Sequence, residues 1–159
     1  MTELRRAVPF LVLVLALLAA GCTSIPEATG EPALPADDGS SLEAAAARWA
    51  AAGIDDYRLE LAFLCACALP ATVEVDVVDG VPRRITVDGA SVDLDALTQF
   101  PTSVDGLFQE GRRVVRDGGT VSGVFDETTG APSRLDIDSM PDAIDDELQI
   151  VVKSLVPTS

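Results

Sequence analysis

Apolar positions recur along this chain at two spacings, one helical and one of two residues. The helical spacing follows Ser40 and Ser41, either of which caps a helix, with Glu43 in the first turn of LEAAAARWAAA and Gly53 placed to end it. Leu42, Ala46, Trp49 and Ala50 share one face of that helix, which directs Trp49 towards the rest of the fold. The spacing of two takes over at Tyr57 to Phe63, with Tyr57, Leu59, Leu61 and Phe63 on one side. Thr72 to Val78 alternates in the same way, with Val73, Val75 and Val77 inward and Glu74 and Asp76 outward. Asp79-Gly80 is a hairpin turn, Val81 to Val87 is the returning strand, and Asp88-Gly89 closes it.

Ala90 to Thr102 carries one short helical turn around Leu94 to Leu97. Ser103 then caps a second helix with Leu107, Phe108 and Val114 on its buried stripe, ended by Asp117-Gly118-Gly119. Thr120 to Phe125 and Ser133 to Ile137 are strands joined by a turn, Asp126 to Pro132. Asp145 to Leu155 fits a strand or a helix, and Ile150-Val151-Val152 favours the strand. The expected order is α-β-β-β-α-β-β-β. Its short, hairpin-like connections imply a single small α+β domain: a mainly antiparallel sheet with its helices on one face.

Upstream of this domain the pattern changes. Arg5 and Arg6 precede an apolar run from Val8 to Ala20, too short for a comfortable permanent span, that ends in Leu18-Ala19-Ala20-Gly21-Cys22. Small residues directly before a cysteine resemble the bacterial lipobox, in which the thiol is acylated and cleavage leaves that cysteine first. Residues 1–21 are therefore expected to be a lipoprotein signal peptide, and Cys22 the lipidation site. Thr23 to Ser40 holds three prolines, two glycines and no apolar period, so residues 22–40 read as a lipid-anchored flexible stalk. Residues 41–159 form the folded domain. The expected address is the cell membrane, lipid-anchored through Cys22 on its extracytoplasmic face, with palmitate among the acyl chains.

Charge narrows the partners. The chain has 11 basic and 26 acidic residues, and without residues 1–21 the balance is nine to 25, a formal −16. Such a surface repels phosphates and anionic headgroups, so nucleic acid is not an expected partner. There is no histidine. That removes Ser-His-Asp and Cys-His catalysis, histidine metal sites and the usual proton shuttle near neutral pH. No catalytic residue, metal ligand or cofactor site is assigned. The expected role is a non-enzymatic domain that binds a protein or a small ligand.

Cys65-Ala66-Cys67 carries the most chemical content. With Cys22 acylated, two cysteines remain, an even number in an oxidising compartment. On an extended strand positions two apart share a face about 6.6 Å apart at Cα, near the upper limit for a disulfide. A local structural disulfide between Cys65 and Cys67 is the expected chemistry; a redox-active pair, soft-metal binding by two thiolates, intermolecular bridging and free thiols are the alternatives. The acidic stretch Asp136 to Glu147 places Asp at the first and third positions and Glu at the twelfth, as a calcium loop does. Met140 and Pro141 occupy its fifth and sixth positions, where that loop needs a ligand and a glycine, so a solvated acidic loop is the better reading.

Taken in order, Trp49, Tyr57, Cys65 and Cys67, Asp79-Gly80, Val104 to Phe108, Phe125-Asp126 with Gly130 and Pro132, Ile137-Asp138 and Asp145-Asp146-Glu147 form a pattern. It resembles a family of bacterial lipoproteins carrying a domain of unknown function, over roughly Leu42 to Leu155. Phe125 stands where that family more usually has tyrosine. The resemblance implies an envelope domain without an assigned activity, and it supplies no catalytic residues. The alternatives to a simple binding domain are an envelope thiol-disulfide protein acting through Cys65 and Cys67, and a metal-binding lipoprotein.

Overall fold

Helix α1 (Ser40–Ala52) presents Leu42, Ala45, Ala46 and Trp49 to the core at the i, i+3, i+4, i+7 spacing of one helix face. The computed structural model describes residues 40–65, 72–143 and 147–158. Ala50, expected on the buried face, is exposed, and Ala45 takes its place with no accessible surface. The reason is tertiary. The chain at Gly130 crosses directly over the Ala45 carbonyl, at a positive φ of 78°, where an added Cβ would overlap that oxygen.

Among the described residues seven antiparallel strands follow the helix: β1 (Tyr57–Leu64), β2 (Val73–Val78), β3 (Val81–Val87), β4 (Ala90–Val92), β5 (Thr120–Phe125), β6 (Pro132–Asp138) and β7 (Glu147–Pro157). They form one sheet in the order β4-β3-β2-β1-β7-β6-β5. A 3₁₀ turn (Leu94–Leu97) and helix α2 (Val104–Arg116) link β4 to β5. The architecture is α+β as expected, with one strand more than expected. Asp88-Gly89 does not merely close β3. Both residues have positive φ, 48° and 83°, like Asp79 and Gly80 at 53° and 70°, and each pair makes the tight turn of a two-residue hairpin. The second turn leads into the three-residue β4, too short to show an alternating pattern of its own.

The alternation of β2 is borne out, and that of β1 too except that Ala62 is buried as well, past the register shift at Glu60 and Leu61. Tyr57, Leu59, Leu61, Phe63, Val73, Val75 and Val77 are all buried, and with Leu107, Phe108 and Val114 of α2 they belong to a single core. The last element is a strand, pairing with β1 on one side and β6 on the other. Ser103 caps α2 as expected, its Oγ accepting the Gly106 N–H at 3.0 Å. The Tyr57 hydroxyl accepts the Val104 N–H at 2.9 Å, so the central strand satisfies an N–H that the first helical turn leaves open. Burial is the largest reason that the Tyr57 hydroxyl is pushed up to about 12. Trp49 stands edge-on to the Tyr57 ring, centroids 5.6 Å apart, and Phe108 stacks on Phe125 at 6.1 Å. Among the described residues no helix is long and apolar enough to cross a membrane.

Candidate functional site

Strand β7 outruns its neighbour. It has 11 residues, but β6 pairs only with Glu147 to Val151, so among the described residues the edge of Val152–Pro157 that faces away from β1 has no strand beside it. The β1–β7 register shifts between Glu60 and Leu61, with Glu60 opposite Ser154 and Leu61 opposite Val152. Lys153 is left without a partner across the ladder, as the extra residue of a β-bulge. It is also the only lysine in the chain.

A cleft of about 380 Å³ fills the gap between this free edge and the β5–β6 turn. Ile54, Ala131, Pro132, Val152 and Leu155 make its apolar wall, and Asp126, Thr129, Ser133, Lys153 and Ser154 its polar rim. The turn that forms one side is rigid for local reasons. Asp126 Oδ1 accepts the Thr129 N–H at 2.6 Å, the Thr129 hydroxyl at 2.8 Å and the Thr128 N–H at 3.0 Å. The Thr129 bonds are the main reason that the Asp126 carboxyl sits below the ordinary carboxylate range. Pro132 opens β6 without an N–H to offer.

A larger groove of about 540 Å³ runs beside α2, lined by Phe100, Pro101, Gln109, Arg112, Arg113 and Arg116 among others. Its guanidinium groups are engaged within the protein. Arg112 holds Glu43 at 2.7 and 2.9 Å, and that hydrogen bond lowers the Glu43 pKa. Arg113 holds Glu110 at 2.6 and 2.9 Å and Asp117 at 3.2 Å, while Arg116 lies 4.0 Å from Asp117. These pairs tie α1 to α2 and brace the end of α2. The smaller cleft is the better candidate, because it combines an unpaired backbone edge with an apolar wall.

The sheet face opposite the helices carries an ion pair that the sequence did not single out. Arg134 is only 7 % exposed; its Nη2 and Nε donate to Asp136 at 2.6 and 3.0 Å, and Gln149 donates to the same carboxylate at 2.8 Å. Arg134 and Asp136 are two apart on one strand and so share a face, and register sets Gln149 opposite Asp136. Asp136, first position of the acidic stretch, is thus committed to Arg134 and Gln149. Among the described residues no group of three or more acids or cysteines is arranged to hold a metal ion.

Of the three cysteines singled out, Cys65 lies in the described residues, half-buried just past the end of β1, and it is disulfide-bonded. Cys67 and Cys22 lie outside the described residues, as do Asp145 and Asp146. Lys153 was not anticipated, and its signal was faint: a single lysine inside a predicted strand.

The order of elements, the Trp49–Tyr57 contact and the paired Asp-Gly turns are the frame on which a family comparison bears. The chain belongs to a family of unknown function, DUF6174. The family model matches residues 41–157, from the first turn of α1 to the end of β7. No curated protein and no solved structure matches the chain. The DUF6174 match takes in both walls of the smaller cleft. It leaves the segment around Cys22 outside.

Proposed function

We propose that this DUF6174 protein is a lipid-anchored extracytoplasmic lipoprotein whose folded domain binds a partner and catalyses no reaction. One sequence observation carries the address: Arg5-Arg6, the apolar run from Val8 to Ala20, then Ala19-Ala20-Gly21-Cys22. Two or more acyl chains on Cys22 anchor stably where a single chain is reversible. Residues 23–40, with three prolines, provide a spacer between anchor and domain. The binding role rests on the acidic surface, the missing histidine and the open cleft beside β7.

The test is metabolic labelling with an alkynyl palmitate analogue, followed by detergent phase partition of the wild type and of Cys22→Ala. Label and detergent-phase partition in the wild type, both lost in the variant, support the anchor. A Cys22→Ala protein that keeps either one refutes it.

A second reading is thiol–disulfide exchange, with Cys67 as the partner of the disulfide-bonded Cys65. Equilibration in glutathione redox buffers separates the cases. A bond that opens in a mildly reducing buffer fits exchange, and one that persists through strongly reducing buffer is a structural staple.

A further inference from the structure

We propose that the cleft beside β7 accepts an extended basic segment of another polypeptide, which adds as a short strand along Lys153–Pro157. The proposal rests on the binding-domain reading and names the partner class of that site.

The backbone supplies the first argument. Successive residues of an antiparallel strand turn their N–H and C=O groups to opposite sides. Thr158 donates to the Asp56 carbonyl at 2.9 Å, so Ser154, Val156 and Thr158 turn towards β1. Leu155 and Pro157 therefore turn towards the cleft. The Leu155 N–H and C=O and the Pro157 C=O have no backbone partner among the described residues. An extended chain is the ligand class that satisfies such a row. The free edge spans roughly 17 Å, about five residues at strand rise. One face of an added strand would rest on Ile54, Ala131, Val152 and Leu155, which suits a small apolar side chain at alternate positions.

Charge supplies the second argument. Asp126 lies on the rim, where Arg48 helps to lower its pKa, and Glu127 follows it in the turn, while the Asp56 carboxylate accepts the Asp79 N–H at 2.8 Å at the β2–β3 turn. Lys153 is the one cation of the lining, within a chain of formal charge −15. The net charge of −15 makes the chain as a whole attract a cationic segment more than an anionic one. A second copy of this chain brings the same negative charge. Residues 23–39 of the chain itself bring three prolines, which lack N–H groups, and four acids. Neither suits the slot.

The experiment uses the full chain in detergent micelles. The probe is a pooled library of hexapeptides with lysine at both ends and randomised interior positions, alongside the same library with terminal glutamates and a third carrying proline at the third position. Binding is read by fluorescence anisotropy, and the site by amide hydrogen exchange at Leu155. The expected result is binding by the lysine library, protection of the Leu155 amide, and affinity about tenfold weaker for the glutamate and proline libraries. Ser133→Lys, an exposed change on the cleft rim, weakens the lysine library and leaves the fold intact by circular dichroism. Binding that leaves Leu155 unprotected, or that ignores proline, overturns the strand-addition site; preference for glutamate overturns the charge assignment. If no library binds, the peptide slot is overturned, while the anchor stands or falls separately on Cys22→Ala.

Discussion

Replacing Tyr57 with phenylalanine removes one oxygen and keeps the ring. Tyr57 is 1 % exposed and Val104 not at all, so the Val104 N–H loses its acceptor where water does not reach. The edge contact with Trp49, at 5.6 Å, depends on the ring and survives. The cost is therefore that of one buried donor left open, about 1–3 kcal/mol. Urea unfolding followed through Trp49, the only tryptophan, measures it. With a slope of about 1–3 kcal/mol/M, the midpoint falls by roughly 1 M and the slope is unchanged.

Alkaline pH adds a second arm. Burial raises the folded-state pKa of Tyr57 from 10.0 to about 12, so its protonated form contributes stability that is complete below pH 10. That contribution, roughly 2–3 kcal/mol, is lost as pH rises through 12. Phenylalanine has nothing to titrate, so the gap between wild type and variant narrows above pH 10. Tyrosinate absorbance reports the same group directly, because the chain has one tyrosine. A variant within 0.5 kcal/mol of wild type at neutral pH, marked by roughly the same midpoint, refutes the link between β1 and α2. A gap that is constant from pH 9 to 12 refutes instead the burial that raises the Tyr57 pKa.

Gly130→Ala is expected to cost about 2–4 kcal/mol in thermal or urea unfolding, since φ is 78° and the new methyl meets the Ala45 carbonyl. Arg134→Ala is expected to cost about 3 kcal/mol or more by the same measurement, because it strips the Asp136 carboxylate of its cation at a site where Arg134 is 7 % exposed. Glu43→Gln breaks the pair with Arg112, both partners being substantially exposed, and is expected to cost less than about 1 kcal/mol, a difference that shrinks further in high salt. Ser103→Ala removes the cap of α2 and is expected to cost about 0.5–2 kcal/mol, seen as a lower urea midpoint.

Local signals were strong where one residue type has one physical use. Ser103 before VDGLF, the two Asp-Gly pairs and the valines two apart in β2 each specify backbone geometry from nearest neighbours, and the fold follows them. They misjudged places where a distant segment decides. Ala45 and Ala50 are equally good helix formers on adjoining faces, and only the crossing at Gly130 chooses which is buried. β4 is too short to carry a pattern and exists because β3 offers it an edge.

The candidate site was less legible than the fold. Nothing local in IVVKSLVP tells that β6 stops pairing at Val151, or that a bulge leaves Lys153 unopposed. The cleft is a difference in length between neighbouring strands, a property of the sheet and not of any one strand. The same holds for Arg134, whose ion pair with Asp136 is near in sequence but whose burial and Gln149 neighbour come from register. By itself the sequence determined the α+β class, the bounds of nearly every element, the acidic surface and the want of histidine chemistry, because these depend on residue type and short-range spacing. Only the tertiary structure decided which charges are buried, which alanine faces the core and where a backbone edge is left open, because those depend on which strands lie side by side and how far each runs.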